Sequence, residues 1–299
     1  MMKVFALLGH PVEHSLSPKL HNAVFEALDL KDYRYELCDT LPEQLAERMR
    51  QFKVGEYEGF SVTIPHKQAV IEFVDELSDR AKRVGAINTI LRREDGKLLG
   101  ENTDYGGFEK SLEELDVIAS EARQSQSEGI ASVSAFPRND KLALVLGSGG
   151  AARAVIAVLL DHGFSVTVVS SRPDEEGELI ERFGVELKGY EELDPGRDWS
   201  LIVNCTPVGM FPKVGVSVIE DSRWFRPHRV YCDVVYNPRI TRFLELAQGV
   251  GAKTVTGDRM FLWQAVEQAK LFTGKEEVPL GVMEGLLKAN NAGQMGSGR

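Results

Sequence analysis

The sequence predicts an α/β protein in two parts, an N-terminal α/β domain followed by a Rossmann-like domain whose sheet is doubly wound and parallel. Three observations carry this. Apolar runs of strand length alternate with stretches of helical spacing along most of the chain, the rhythm of sheets flanked by helices. A glycine-rich turn, Gly147-Ser148-Gly149-Gly150, follows one such run and opens a helical stretch, as in a dinucleotide-binding unit. At 299 residues the chain also exceeds one ordinary domain and is long enough for two cores.

Taken in order, the first series places strands at about Lys3 to Leu8, Tyr33 to Cys38, Gly59 to Ile64 and Ala86 to Arg92. Helical spacing falls between them, at about Pro18 to Leu28, Pro42 to Phe52 and His66 to Leu77. Proline suits a first helical turn because the amide it lacks would have no partner there. This alternation predicts a mostly parallel sheet within residues 1–115. Residues 116–140 include a stretch rich in Ser, Ala, Gln and Glu that reads as an extended linker or a lid. The second series occupies residues 141–275, with strands at about Lys141 to Leu146, Ser165 to Ser170, Leu201 to Asn204 and Arg229 to Val234. Helical runs at about Asp258 to Phe272 and Pro279 to Ala289 close the fold, and residues 291–299, which lack periodicity, read as a disordered tail.

Charge and composition narrow the partners. A formal charge of −10 argues against nucleic acid and anionic membrane, since both need a basic surface to meet. No apolar run is long enough to span a bilayer, and the segment from Met1 passes into a strand without a signal-peptide core. Cys38, Cys205 and Cys232 are too scattered for a disulfide framework, and none stands at metal-ligand spacing from another Cys or a His. A cytoplasmic protein with buried thiols is expected.

Gly9 to Asn22 is the most informative segment. It follows the first strand and sets Ser15 and Ser17 just before Pro18 opens a helix. Two hydroxyls beside the unpaired amides of a helix start make an anion site of carboxylate size, while the simpler reading makes Ser17 a helix cap. His10, His14 and His21 lie in the same segment, but no further ligands at suitable spacing accompany them. Packing and hydrogen bonding about the turn are their expected roles, and no metal is expected.

In the glycine turn, Gly147 through Ala152 let the backbone close on a pyrophosphate, and the helix start attracts its charge. An NAD-preferring site places an acid at the end of the next strand. Here that strand ends in Ser170-Ser171-Arg172-Pro173, whose guanidinium suits a 2′-phosphate, so NADP is favoured, with Asp174 keeping NAD as the alternative. Three polar residues in the first half also stand out: Lys67 after Ile64-Pro65-His66, Asn88 inside an apolar strand, and Asp104 ahead of Tyr105. Each alone has a plain structural role. Lys67 would be a solvated charge, Asn88 a partner for backbone groups and Asp104 a helix cap.

Together these segments resemble the shikimate dehydrogenase family, in the family's order, from the first strand to about Leu287. The resemblance rests on Ser15 through Pro18, Val62 through Lys67, Ala86 through Thr89, Asn102 through Asp104, the glycine turn, Asn204 through Met210, Asp233 through Pro238 and Gly257 through Gln264. It implies a substrate-binding N-terminal domain, with a helix at about 276–290 packing back on it, and an NADP-binding second domain. It implies NADPH-dependent, reversible reduction of 3-dehydroshikimate to shikimate in aromatic amino acid (chorismate) biosynthesis. Ser15, Ser17 and Tyr236 are implied as contacts of the substrate carboxylate, and Thr63, Asn88, Asp104 and Gln264 as partners of its hydroxyls. Lys67 and Asp104 match the catalytic pair. A carbonyl that takes up hydride becomes an alkoxide and needs a donor within hydrogen-bond reach, which Lys67 can supply. Gly147, Ser148, Gly149, Gly150, Ala151 and Ala152 are implied at the pyrophosphate, Ser171, Arg172 and Pro173 near the adenosine end, and Val234 and Gly257 on the nicotinamide side. Asp79 matches an acidic position near the cofactor, though on sequence alone it is an ordinary surface acid.

Two departures from the family pattern stand out. Ser61 replaces an Asn, and Ser171-Arg172-Pro173 replaces Asn-Arg-Thr, removing an amide and a hydroxyl from the phosphate end. The stretch 120–139 is also longer than the family commonly carries there. A dehydrogenase that acts on quinate as well as shikimate, with NAD preferred, is the first rival reading. A non-catalytic dinucleotide-binding sensor is the second, and retention of both Lys67 and Asp104 speaks against it. A monomer and a homodimer fit the sequence equally.

Overall fold

The computed structural model describes residues 2–118 and 141–296, with side chains through residue 291. The chain divides into two compact units, Met1–Gly107 with Leu262–Arg299, and Phe108–Phe261. The expected linker at 120–139 lies outside the described residues. Val117 and Ile118 are both buried, so packed structure runs past the boundary drawn at residue 115.

The first unit holds a six-stranded sheet of β1 (Lys3–Gly9), β2 (Tyr33–Asp39), β3 (Gly59–Val62), β4 (Glu76–Leu77), β5 (Thr89–Arg92) and β6 (Leu98–Glu101). The strand order is β2-β1-β3-β5-β6-β4. Pairing is parallel for β1 with β2, β1 with β3 and β4 with β6, and antiparallel on both sides of β5. The antiparallel step has a local cause. Only a short turn about Gly96, where φ is +81°, separates β5 from β6, and so short a connection joins antiparallel neighbours alone.

Alternation along β1 gives the sheet two packed faces. Phe5 and Leu7 meet Phe25, Tyr35 and Phe272, whereas Ala6 and Leu8 meet Met49, Phe52, Phe60 and Ile87. Each large side chain buried this way contributes about 1.5–3 kcal/mol. The helix Ser17–Ala27 buries Leu20, Val24 and Phe25 on one stripe and packs against the last helix, Leu280–Gly296. That last helix runs past the point where the sequence was read as a tail, because no proline interrupts residues 290–296.

Two further expectations change. His66 to Leu77 forms a 3-10 turn over Ala69–Phe73 and then β4, not one α-helix. The apolar spacing there is helical, but the edge of the sheet competes for the backbone: Asp75 N donates to Leu98 O at 2.9 Å and Leu98 N donates back to Asp75 Oδ2 at 2.8 Å. The chain also rejoins the first unit at Leu262, ahead of the expected residue 276. Gln264, Gln268 and Phe272 recur every four residues along the helix Gly257–Thr273 and are buried.

The second unit is a sheet of β7 (Leu142–Leu146), β8 (Ser165–Val169), β9 (Glu186–Lys188), β10 (Leu201–Asn204), β11 (Val230–Asp233) and β12 (Lys253–Val255). Its order is β12-β11-β10-β7-β8-β9 and every pairing is parallel. Strand order reverses between β7 and β10, the switch point at which such sheets bind dinucleotides. The helix Gly150–Asp161 buries Ala152 through Leu159, and Phe243 and Leu244 pack with Ile202 and Tyr231. Among the described residues no helix is long and apolar enough to cross a membrane.

Candidate active site

Asn88 organises the polar cluster of the first unit. Two strands, β3 and β6, bond to its backbone from either side: Val62 N donates to Asn88 O at 2.7 Å, and Asn88 N donates to Glu101 O at 3.1 Å. Its side-chain nitrogen donates to Asp104 Oδ1 and Thr103 Oγ1, both at 2.9 Å, and reaches Gln264 Oε1 at 3.5 Å. Its oxygen accepts from Thr103 N at 2.7 Å and Thr89 Oγ1 at 3.0 Å. An amide that both donates and accepts can thus orient a carboxylate and tie down a helix start at once.

Lys67 enters this cluster from an irregular segment. Ile87 N donates to Lys67 O at 2.8 Å, which brings the lysine backbone beside the strand that leads to Asn88. Its Nζ donates to Asp104 Oδ2 at 2.5 Å, and the two side chains are only 14% and 7% exposed. The reading of Lys67 as a solvated charge is therefore corrected. Asp104 is not the helix cap either. The helix Thr103–Glu114 starts one residue earlier, Asn102 Oδ1 accepts from Tyr105 N at 3.0 Å, and Asp104 is left in the first turn with its carboxylate turned to Lys67.

The serine turn differs from the capping reading as well. The helix begins at Ser17 itself, Leu16 holds the N-cap position, and Ser15 Oγ accepts from Ser17 N at 3.2 Å while donating to Ser17 Oγ at 3.2 Å. Ser17 is buried and Ser15 half-buried, so two hydroxyls are gathered at a helix start. Thr63, just after β3, is half-buried and bonded through its amide to Leu8 O at 2.9 Å. The histidines diverge. His10 pairs with Asp39 at 3.0 Å, whereas His21 is buried and stacked on Tyr35 with ring centroids 4.4 Å apart. Burial holds the His21 imidazole down to about 3, so it stays neutral.

In the second unit the turn after β7 has the form a pyrophosphate needs. Gly147 sits at φ +108°, where a side chain would be strained and a Cβ would meet Thr206 Cγ2 at 3.1 Å. Gly149 is the N-cap of the helix Gly150–Asp161 and no side chain caps that end, which leaves its first amides to an anion. Ala152 is buried against the sheet, whereas Gly150 and Ala151 are half-buried at the helix start. Ser148 Oγ donates to Glu176 Oε1 at 2.5 Å. Ser171 and Arg172 are exposed, Pro173 is half-buried, and the Arg172 guanidinium pairs with Glu175 at 2.9 Å. Asp79, in the first unit, is fully exposed and 3.2 Å from Lys82. Tyr236 belongs to the second unit, where it stacks on Phe261 with ring centroids 4.2 Å apart. A Cβ on Gly257 would lie 2.4 Å from Val235 O and 2.6 Å from Val234 O, so this backbone approach admits only glycine.

Asp233, at the end of β11, is 2% exposed and accepts hydrogen bonds from Asn204, Val235 and Thr241. Burial outweighs those bonds and pushes its carboxyl from 3.8 up to about 6. The native state therefore binds the proton more tightly than the unfolded chain. The stability this brings is complete below about pH 4, is lost as pH rises through about 6 and is flat beyond, a span of about 3 kcal/mol. Denaturant unfolding of the wild type and Asp233→Asn from pH 4 to 7 checks this. The difference is expected to move toward the variant across that window, and a difference independent of pH excludes it.

Comparison with known proteins gives the family. The family model for the shikimate dehydrogenase substrate binding domain matches residues 7–90. A protein of Clostridium beijerinckii named shikimate dehydrogenase (NADP(+)) is 35% identical over 271 residues, 91% of this chain and 92% of that one. This chain belongs to the shikimate dehydrogenase family. A second relative of that name, from Methanopyrus kandleri, is 39% identical over 290 residues, 94% of this chain and 93% of its own. Among solved structures, a shikimate 5-dehydrogenase of Thermus thermophilus in complex with NADP(H) and shikimate is 35% identical and matches with a TM-score of 0.78, over 96% of this chain and 99% of that one.

Three residues of these clusters lie outside the site that the sequence implies. Gln268 accepts from Ser61 Oγ at 2.8 Å and donates to Asn88 O at 3.1 Å and Thr89 Oγ1 at 2.9 Å. Helical periodicity would have found it, one turn beyond Gln264. Asn204 and Asp233 end adjacent parallel strands in register, a pairing visible only once the strand order is known.

Proposed function

We propose that this protein catalyses the reversible NADP-dependent interconversion of shikimate and 3-dehydroshikimate, with Lys67 and Asp104 as the catalytic pair. The observation that carries this reading is the buried contact between Lys67 and Asp104, held by Asn88 in a cluster with Gln264. Taking two charges out of water costs more than their attraction usually returns, so such a pair is a poor device for stability alone. The relatives named as NADP-dependent shikimate dehydrogenases, and the solved complex with NADP(H) and shikimate, support the substrate and the cofactor. The residues present fit that cofactor, since the uncapped helix start behind Gly147 suits a pyrophosphate and Arg172 suits a 2′-phosphate.

When bound, the nicotinamide supplies the hydride in reduction and takes it up in oxidation. The chain's own residues handle the proton. Lys67 Nζ donates to the substrate oxygen that becomes an alkoxide, and Asp104 Oδ2 aims the ammonium from 2.5 Å. Asn88 fixes the other carboxylate oxygen at 2.9 Å, so the acid cannot rotate away. The proton belongs to the pair, not to one member. Ser15 and Ser17 are assigned to the ring carboxylate, and Thr63 and Gln264 to the remaining hydroxyls. The proposed setting is aromatic amino acid biosynthesis in the cytoplasm, where three free cysteines are at home.

Steady-state rates with shikimate and quinate, each paired with NADP and NAD, test the reading. Shikimate with NADP is expected to be the most efficient pairing. Equal efficiency with quinate overturns the substrate, and no change in the reduced-nicotinamide absorbance with either acid overturns the activity.

A further inference from the structure

Asp233 is a charged group buried where neither its own packing nor the proton-transfer pair requires one. Its partners are all neutral donors. Oδ1 accepts from Val235 N at 2.9 Å and Asn204 Nδ2 at 3.1 Å, and Oδ2 accepts from Thr241 Oγ1 at 2.6 Å. A carboxylate accepts only, so it satisfies all three donors as they stand, where a neutral amide would keep Thr241 only by turning that hydroxyl round to accept. Burying it raises its pKa, and the fold retains it despite that opposing cost.

The three donors come from the segments that leave the carboxyl ends of two neighbouring strands, β10 and β11. Asn204 ends β10, and its side chain also donates to Val208 O at 3.3 Å and accepts from Thr206 N at 3.0 Å, which shapes the loop after β10. Val235 lies in the loop after β11. Thr241 caps the helix Arg242–Gly249, which follows that loop. Between them, Val234 is held on both sides: its own amide donates to Asn204 O at 3.0 Å, and the next amide is the one bound by Asp233. Gly257 closes the remaining direction, since a Cβ there would overlap the Val234 and Val235 carbonyls.

From this we infer that Asp233 is a positioning residue for the nicotinamide end of the cofactor, setting the Val234 peptide and the loop after β10 without touching the ligand. The inference rests on the proposed function and on the family resemblance, which implies Val234 and Gly257 on the nicotinamide side, and it adds what holds them there. A group with this role acts on hydride transfer and leaves the adenosine end alone. Those two consequences can be measured apart.

The test uses the full chain as wild type, Asp233→Asn, Thr241→Val and Thr241→Ser. The probe is 2′-phosphoadenosine 5′-diphosphoribose, which carries the adenosine and pyrophosphate but no nicotinamide. Calorimetric titration gives its affinity and the number of binding-competent sites, so that turnover is expressed per site and misfolded protein drops out. Asp233→Asn and Thr241→Val are expected to bind the fragment within about twofold of wild type and to turn over about tenfold more slowly per site, with Thr241→Ser restored. Turnover per site equal to wild type overturns the inference, as does fragment affinity that falls in parallel with turnover or vanishes. Failure of the wild type to bind the fragment or oxidise shikimate is a different result: it removes the functional reading first, and the inference with it.

Discussion

Replacing Lys67 by alanine is expected to cut turnover about a hundredfold or more while leaving NADP affinity within about twofold of native. The ammonium is the one donor in the Asn88 cluster that can deliver a proton to an alkoxide, and general acid–base groups contribute at least this much. Cofactor binding is expected to be unaffected because the glycine turn and Arg172, proposed to hold the cofactor, belong to the other unit. Loss of the lysine also leaves Asp104 buried without its counter-charge, so some stability goes with it. Turnover and NADP titration of the purified variant check both parts. Turnover near the wild-type value removes Lys67 from the mechanism.

A second large effect is expected at Asn88. Asn88→Leu keeps the branched shape but leaves Thr103 N, Thr103 Oγ1 and Asp104 Oδ1 without the bonds they make now, all of them buried. An unpaired buried polar group costs about 1–3 kcal/mol, so unfolding free energy is expected to fall by about 3–5 kcal/mol. Turnover of the folded fraction is expected to fall at least tenfold as well, because the carboxylate that aims Lys67 is then free to rotate. Denaturant unfolding together with turnover per folded molecule measures this. A stability loss under about 1 kcal/mol means that the network is satisfied some other way.

Much of this arrangement can be read from residue order. The strand runs that begin at Lys3, Tyr33, Gly59 and Leu201 form as expected because strand-length apolar stretches bounded by turn residues have few other solutions. His66 to Leu77 shows where such reading stops. Its apolar spacing is helical, yet Asp75 is drawn to the backbone of Leu98, a partner 23 positions away that periodicity cannot reveal. The serine turn and Asp104 fail for a smaller reason. Ser, Asp and Asn compete for the same capping position, and which one takes it depends on a single step of register, as Asn102 does here. Asp233 stands out in the sequence only as part of a motif, because its role depends on β10 and β11 being neighbours.

The helix Gly257–Thr273 begins in one unit and ends in the other, and its latter half supplies Gln268 and Phe272 to a unit whose other residues come from the opposite end of the chain. Synthesis therefore completes the two units in reverse order of their starting points. Phe108–Phe261 is continuous and has all its parts on leaving the ribosome, whereas the nascent N-terminal portion must wait, with Phe5 and Tyr35 lacking Phe272, until the helix Gly257–Thr273 has emerged.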